Sequence, residues 1–226
     1  MLAERIDADM KDAARAKDAR RLGTLRLLKS GRAGPLPLTA IEYLDKSSRS
    51  TAEILHLINE LLELDRIEAG MMPFAKGRVD CSELLRVARD SLLAMAEEID
   101  VTVTTECSAT GALLGDPVRL RQVLVNLISN AIKHAPKGTE VAVRAEDRDG
   151  RVRIRVTDQG PGIASEDRER IFQRFVQTGS ASQQHASTGL GLTIAREIVQ
   201  RHNGQIGVES DVGRGATLWF EIPVAT

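Results

Sequence analysis

The sequence predicts an α+β protein, in which a helical hairpin is followed by a sandwich of helices packed on a mixed sheet. The first thirty of the 226 residues contain no proline, a single glycine and many alanines, a composition that favours helix. From about residue 74 onward, helical stretches alternate with segments in which apolar and polar residues take turns. This change of pattern predicts two domains, a dimerisation hairpin over 1–72 and a second domain over 73–226.

The N-terminal domain is predicted from two helical stretches. Residues 1–30 favour helix, and the Gly- and Pro-containing stretch 31–37 breaks it. A second helix is expected over 38–69, with apolar residues mostly three and four apart and Gly70 as its C-cap. Two such helices form an antiparallel hairpin. Because a lone hairpin cannot hide its apolar stripe, we expect a second copy to complete a dimeric four-helix bundle.

Capping and turn residues mark the elements of the C-terminal domain. Asp116 and Pro117 form a strong helix start, with Asp at the cap and Pro in the first turn. Asp149 and Gly150 lie between two alternating segments and predict a hairpin with one buried face. In chain order we expect helices at 81–98 and 117–134, strands at 141–145 and 152–156, a helix at 192–201, and strands at 205–209 and 216–222.

Composition excludes several classes of function. A net charge of −1 gives no electrostatic reason to expect nucleic acid as a partner, and 3% aromatic residues leave few stacking platforms for single strands. The longest apolar runs are too short to span a bilayer, so no membrane segment is expected. Cys81 and Cys107 are isolated thiols without a CxxC pair, which is typical of reduced cysteines in the cytoplasm.

Three polar residues share one face of the helix expected at 117–134. Asn126, Asn130 and Lys133 are spaced by four and three residues. Mg²⁺ prefers oxygen ligands, so an asparagine oxygen is suited to bridge it to phosphates, and a lysine one turn on adds a point charge. Apolar neighbours surround these asparagines, which favours a binding role over simple exposure. His134 either contacts phosphate or ends the helix.

The second motif follows the strand expected at 152–156. Asp158 stands at the strand end, where a carboxylate can accept a hydrogen bond from an exocyclic amine and so select adenine over guanine. Gly160 and Gly162 would let the backbone come close to a flat base. The alternative is an ordinary Gly-Pro-Gly turn beside a solvated Asp.

The third motif is a glycine turn made of Thr188, Gly189, Leu190 and Gly191, which opens the next expected helix. Backbone N–H groups and the helix dipole at such an N-terminus can hold phosphate oxygens. The alternative is a glycine-rich loop without a ligand.

Small polar residues fill the segment 176–188 that leads into this turn. Such a composition suits a mobile lid that closes over a nucleotide. Phe172 and Phe175 stand just before the segment. They are expected to anchor the base of the lid, or to pack in the core, and the two roles are compatible.

In this order, the motifs resemble the nucleotide-binding boxes of sensor histidine kinases, which share a Bergerat-type ATP-binding fold with gyrase, HSP90 and MutL. Segments 58–70, 119–126 and 207–215 match the same family, so the resemblance covers about 38–226. It implies ATP and Mg²⁺ as cofactors, a homodimer, and a response-regulator receiver domain as partner. It also implies the site: Asn130 ligates Mg²⁺, Asp158 binds adenine, and Lys133 holds phosphates together with the turn at Gly189–Gly191.

Asn126 separates two branches of this superfamily. By the resemblance, the ATP-hydrolysing branch has a glutamate at this position as the general base for water. An amide cannot take a proton at neutral pH. The residue therefore argues against rapid hydrolysis and is consistent with transfer of the γ-phosphate to a side chain, with Asn126 and Asn130 as the expected catalytic residues.

The chain departs from the family in its first helix, where sensor histidine kinases carry their acceptor imidazole. The four histidines are His56, His134, His185 and His202, and none lies within 1–30. No phosphoacceptor is therefore expected, and self-phosphorylation is predicted to be absent. Residues 4–28 instead resemble the opening helix of YqeY-type proteins, through a replaced or fused first helix or through convergence of Ala-rich helices.

Three functions stay open at this point. A catalytic core would bind Mg·ATP, dimerise and phosphorylate a histidine elsewhere. A pseudokinase scaffold would sense nucleotide and bind partners through its helices. A serine-directed switch kinase of the same superfamily ranks third, because a long dimerisation hairpin is unexpected there.

Overall fold

The computed structural model describes residues 2–15, 18–29, 38–176 and 188–225. The chain divides into two compact units, Met1–Ile54 and Leu55–Thr226. The long helix α3, Leu38–Glu68, contributes to both. The boundary between the units falls within this helix, while the division into domains 1–72 and 73–226 stays a prediction from the sequence pattern.

The first unit contains two short helices before α3. They are α1, Leu2–Arg15, and α2, Ala19–Lys29. Exposed ion pairs connect them, between Asp9 and Arg21 at 3.2 Å and between Asp7 and Lys29 at 2.5 Å. Exposed pairs of this kind contribute little to stability. The breaker predicted at 31–37 lies outside the described residues.

The prediction of one continuous helix over 1–30 is wrong, because the chain turns at Asp18. The Asp18 N–H donates to the Ala13 carbonyl at 3.0 Å and closes α1. The Asp18 carboxylate accepts the N–H of Arg21 at 3.0 Å and caps α2. A capping aspartate therefore outweighs the helix propensity of the Ala-rich residues around it.

The predicted C-cap of the long helix is confirmed. Gly70 has a φ of +69°, and its N–H donates to the Ile67 carbonyl at 3.0 Å. The Met71 N–H donates to the Arg66 carbonyl at 3.0 Å. These two bonds form a Schellman motif, which places a left-handed residue at the glycine.

The apolar stripe of α3 is largely open to solvent. Within the helix predicted to carry this stripe, Ile54, Ile58 and Leu61 are exposed, whereas Ile67 is fully buried in the second unit. Leu55 and Leu62 are exposed as well. The exposed residues form a surface that the described residues of this chain leave uncovered.

The second unit contains a five-stranded mixed sheet. Its strands and those of a smaller sheet are β1 Gly77–Val79, β2 Thr102–Cys107, β3 Leu113–Gly115, β4 Glu140–Arg148, β5 Arg151–Thr157, β6 Gln205–Ser210 and β7 Ala216–Pro223. The strand order is β2-β4-β5-β7-β6, with β2 and β4 parallel and the other neighbours antiparallel. Strands β1 and β3 form a separate antiparallel pair.

The helices of this unit differ from prediction at one point. They are α4 Cys81–Asp90, α5 Leu93–Ile99, α6 Pro117–His134 and α7 Gly191–Arg201. A single helix over 81–98 is wrong, because the chain tightens after α4. The Ser91 hydroxyl donates to the Ala88 carbonyl at 2.7 Å, and the Leu92 N–H donates to the Arg89 carbonyl at 2.9 Å. Among the described helices, none has the length and apolar character needed to cross a membrane.

Two local predictions are confirmed by the backbone. The Asp116 carboxylate accepts the N–H groups of Val118 at 2.9 Å and Arg119 at 3.2 Å, so it caps α6. Asp149 and Gly150 both have positive φ, 49° and 74°, between the antiparallel strands β4 and β5. This is the geometry that a two-residue hairpin turn needs.

Helices α4, α6 and α7 cover one face of the sheet, and the core lies between. On β5, Val152, Ile154 and Val156 are fully buried on that face. On the other face, Arg153 pairs with Glu221 at 2.6 Å and lies 4.3 Å from the centre of the Trp219 ring. One covered face and one polar face make an α+β sandwich, and the predicted fold class is confirmed.

Candidate functional site

The residues of the first motif lie on the exposed side of α6. The helix buries its apolar residues in the core, among them Leu120, Val123, Leu124, Leu127, Ile128, Ala131 and Ile132. Asn126, Asn130, Lys133 and His134 are half-buried. The spacing of four and three therefore places polar groups along one edge of a helix whose other side is fixed by packing.

Asp158 follows β5 directly and is 6% exposed. Its Oδ1 accepts the N–H of Gly160 at 2.8 Å and that of Ala216 at 3.3 Å. Burial raises the pKa of Asp158, although these two backbone donors and the nearby His134 lower it in part. Oδ2 accepts no hydrogen bond from any residue in the described part of the chain. It is therefore available to a ligand that brings a donor.

Both glycines of the second motif are required by close backbone contacts. A Cβ atom on Gly160 would lie 2.7 Å from the carbonyl oxygen of His134, the last residue of α6. A Cβ atom on Gly162, which has a φ of +74°, would overlap the carbonyl oxygen of Asp211. The second motif is thereby packed between the end of α6 and the turn that precedes β7.

That turn contains a residue that the prediction of the site missed. Gly215 has a φ of +77°, and a Cβ atom there would overlap the carbonyl oxygen of Asp158. The Gly213 N–H also donates to the Pro161 carbonyl at 2.7 Å. A Gly-x-Gly pair just before a strand was the available signal, since it predicts a tight turn.

The glycine turn of the third motif is held by the residue that precedes the predicted lid. Gly189 has a φ of +71°, and its carbonyl accepts the N–H of Phe175 at 3.1 Å. The side chain of Phe175 is 58% exposed, whereas Phe172 is buried in the core. Phe175 contacts the turn through its backbone. Within the predicted lid, 177–187 lies outside the described residues.

The start of α7 presents unused donors. Gly191 is its first residue. The first helical hydrogen bond runs from the Ile194 N–H to the Leu190 carbonyl, at 2.9 Å. The Leu190 N–H donates to the Thr188 hydroxyl at 3.3 Å. The N–H groups of 191–193 have no partner in the described ranges. Donors of this kind, with the helix dipole behind them, suit an anion.

One hydrogen bond joins the first and third motifs. The side-chain amide of Asn126 donates from Nδ2 to the carbonyl of Gly191 at 2.9 Å. Together with the contact between Gly160 and the end of α6, this bond brings all three motifs to the same helix. The site then offers a carboxylate oxygen as acceptor, glycine-lined backbone, and N–H donors that have no partner among the described residues. This combination fits the base and phosphates of a purine nucleotide. Asn130 adds an amide oxygen, which fits a hard cation such as Mg²⁺.

Comparison with known proteins shows the family to which the second unit belongs. Residues 115–226 match the family model of histidine kinase-, DNA gyrase B- and HSP90-like ATPases. The nucleotide-free catalytic domain of the histidine kinase ThkA is 30% identical, with a TM-score of 0.58, over 68% of this chain and 97% of that domain. The chain belongs to the histidine kinases. Its second unit contains the ATP-binding catalytic domain of that family, with the Bergerat-type fold.

Other histidine kinases are similar over more of the chain. The sensor-like histidine kinase SenX3 of Mycolicibacterium smegmatis is 34% identical over 83% of this chain and 49% of its own length. Histidine protein kinase DivJ of Caulobacter vibrioides is 34% identical over 90% of this chain and 34% of its own length. Full-length ShkA, solved with AMPPNP, is 34% identical with a TM-score of 0.73, over 86% of this chain and 41% of that chain. This histidine kinase chain therefore spans half or less of the length of these relatives.

Proposed function

We propose that this chain is a kinase core that transfers the γ-phosphate of ATP to a histidine on another domain or chain. The observation that carries the proposal is the convergence of the three motifs on α6, through the bond between Asn126 and Gly191 and the contact between Gly160 and His134. The proposed base site and the proposed phosphate site both contact α6, so a single nucleotide can occupy both.

Asp158 selects the base in this proposal. With Oδ1 held by two backbone donors, Oδ2 accepts the exocyclic amine of adenine. Guanine would present a carbonyl oxygen to the carboxylate and be rejected, because two acceptors repel. Gly160 and Gly162 leave the loop without side chains that would obstruct a flat ring.

The phosphates are held at the end of α6 and the start of α7. Asn130 is the proposed Mg²⁺ ligand, and Lys133 and His134 are proposed to contact phosphate oxygens. Thr188, Gly189, Leu190 and Gly191 form the turn that aims the N–H groups of α7 at the same oxygens. Mg²⁺, when bound, neutralises charge on the phosphates and orients them.

The acceptor is proposed to lie on another domain or chain, and neither of two described histidines is suited to the role. His202 is 2% exposed and sealed in the core. His56 is exposed on α3, with its Nε2 3.4 Å from Glu60 Oε1, and carries no feature of a phosphoacceptor helix. Asn126 cannot serve as a base for water, so the bound ATP is proposed to be hydrolysed slowly. Its γ-phosphate is then available for transfer to the acceptor histidine.

Two partners are proposed. The exposed stripe on α3, formed by Ile54, Leu55, Ile58, Leu61 and Leu62, is suited to pair with a second copy in a four-helix bundle. A response-regulator receiver domain is the proposed recipient of the phosphoryl group downstream. ThkA, solved in complex with the response regulator protein TrrA, has the same fold with a TM-score of 0.68 at 23% identity.

A phosphotransfer assay with γ-labelled ATP and Mg²⁺ tests the proposal. We expect no label on this chain alone, and an acid-labile, base-stable label on a supplied dimerisation domain that carries an acceptor histidine. Asp158→Asn should abolish that label, and His56→Gln should leave it unchanged. A stable label on the wild-type chain itself would show that an acceptor is present.

A second candidate function is a nucleotide-sensing pseudokinase scaffold that binds partners through its helices. The absence of histidine from residues 1–30 favours it. The two functions separate in the same assay. If calorimetry shows ATP binding while no supplied histidine domain is labelled, the scaffold is the better description of this chain.

A further inference from the structure

Asn126 makes an unusual contact for a residue expected to act on phosphate. Its Nδ2 donates to the Gly191 carbonyl, 65 positions along the chain, at 2.9 Å. Asn126 is half-buried on α6, and Gly191 is the first residue of α7. The Asn126 amide group therefore donates to the protein backbone, and the side chain has a partner without any ligand.

We propose that Asn126 is a positioning residue, which locks the first turn of α7 to α6 and so sets the direction of the free N–H groups at 191–193. The inference rests on the proposed function, in which those groups hold phosphate. Asn130 lies one turn further along the same helix, so this bond also sets the spacing between the proposed Mg²⁺ ligand and the phosphate donors.

The contacts around the turn support this role. The Gly189 carbonyl is held by the N–H of Phe175 at 3.1 Å, and the Leu190 N–H by the hydroxyl of Thr188 at 3.3 Å. Neither of these two bonds involves a residue of α6. The bond from the Asn126 side chain, by contrast, connects the turn directly to α6.

The chemistry of the contact also explains why an amide stands here. The Gly191 carbonyl is an acceptor, so the side chain that contacts it has to supply a donor. A carboxylate has none at neutral pH and would face the carbonyl with like partial charge. A residue that supplied a general base at this position would therefore lose the bond to Gly191, so the positioning bond and base catalysis exclude each other at Asn126.

Calorimetry with three ligands on the full chain tests the inference. Asn126→Leu removes the donor at similar volume, and Asn126→Asp replaces the donor with an acceptor. For both variants we expect the Kd of ATP and of ADP with Mg²⁺ to rise about tenfold, as for the loss of one buried hydrogen bond. The Kd of adenosine should stay within about twofold, since the base site does not involve this bond.

Ser129→Ala is the matched control. Ser129 lies on the same helix and donates to the Asn126 backbone carbonyl at 3.2 Å, leaving the Asn126 side chain free of it. We expect it to bind all three ligands like the wild type. Hydrogen exchange without nucleotide supplies a second readout: the first amides of α7 should exchange faster in Asn126→Leu and at the normal rate in Ser129→Ala.

The outcomes are distinguishable. If wild-type protein binds ATP more tightly than adenosine, and Asn126→Leu keeps that preference, the positioning role is wrong and the proposed function stands. Equal weakening of adenosine and ATP would also refute it, because that result indicates a general loss of structure. If wild-type protein shows no preference for ATP over adenosine, the proposed phosphate site itself is wrong.

Discussion

Arg119 and Glu63 form an ion pair in which Nη1 lies 2.5 Å from Oε1, and each side chain is 23% exposed. The other carboxylate oxygen of Glu63 accepts from Gln122 Nε2 at 2.8 Å. Arg119 and Gln122 belong to the helix that carries Asn126 and Asn130, and Glu63 lies near the end of α3. The end of α3 is thus hydrogen-bonded to the helix on which the nucleotide motifs converge.

Helix α7 is also hydrogen-bonded to the end of α3. Arg201, the last residue of α7, donates to the Ile67 carbonyl at 2.5 Å and to the Glu68 carbonyl at 3.2 Å. Leu64 and Ile67 are fully buried beside these contacts. A movement at the end of α3 would therefore act on α6 and α7 together, and through them on the proposed phosphate site.

The pair between Glu63 and Arg119 should contribute measurably to stability. In a double-mutant cycle with Glu63→Gln and Arg119→Met, we expect a coupling energy of about 1–2 kcal/mol in urea unfolding, because both groups are partly buried and hydrogen-bonded. The exposed pair of Glu83 and Arg86 on α4 is the control, with an expected coupling below about 0.5 kcal/mol. Additive effects at Glu63 and Arg119 would contradict the prediction.

Asp158→Asn should separate stability from binding. Burial raises the pKa of this carboxyl, so the folded protein holds a charge at neutral pH at some cost. The asparagine Oδ1 can keep both backbone bonds without the charge, and we expect a higher melting temperature. Its NH₂ group would face the adenine amine, so we expect the ATP Kd to rise at least about tenfold. A lower melting temperature with unchanged affinity would show that Asp158 serves the fold alone.

His202 should make stability depend on pH. Its Nε2 accepts the N–H of Asp116 at 2.9 Å, and Nδ1 donates to the Ile198 carbonyl at 2.7 Å. Burial is the largest influence on the pKa of His202 and lowers it, and the charge of Lys76 lowers it further. The Ile198 carbonyl and Asp116 raise the pKa, but the net change is a decrease. The folded protein therefore keeps this ring neutral where the unfolded chain would protonate it.

The sign of the effect follows from that difference. As pH falls below about 6.5, the unfolded chain binds the proton first, so the free energy of unfolding decreases by up to about 1.4 kcal/mol per pH unit from this group. Urea unfolding between about pH 5 and pH 8 measures the slope in the wild type and in His202→Gln. The variant should be less stable overall but have a flatter pH profile. Identical slopes would show that His202 does not titrate on unfolding.

Gly162→Ala should destabilise the second unit more than a comparable change elsewhere. Gly162 has a φ of +74°, and an added Cβ would overlap the Asp211 carbonyl, so strain and a backbone clash add to a cost of at least about 2 kcal/mol. Gly138 has a φ of +75° with nothing within 4 Å of an added Cβ, so Gly138→Ala should cost only about 1 kcal/mol. Equal losses in denaturant unfolding would mean that the loop at Gly162 adapts.

Local chemistry in the sequence was enough to predict many elements of this fold. Asp116 with Pro117, Gly70, and Asp149 with Gly150 each determine a helix end or a turn through groups a few residues apart, and each is observed. The same reasoning was less successful inside helical stretches. Asp18 and Ser91 interrupt helices that the composition predicts as continuous, because one side chain can compete for backbone groups that propensity alone assigns to the helix.

By itself, the sequence determined the α+β class, the residue types of a nucleotide site and the family to which the chain belongs. Only the tertiary structure decided how those residues meet. The bonds from Asn126 to Gly191 and from Arg119 to Glu63 join positions 65 and 56 apart, and the contact of Gly160 with His134 depends on how a loop packs on a helix end. Such pairings have no periodic signal, since they arise when separate elements bury their apolar faces in one core and bring distant donors and acceptors together.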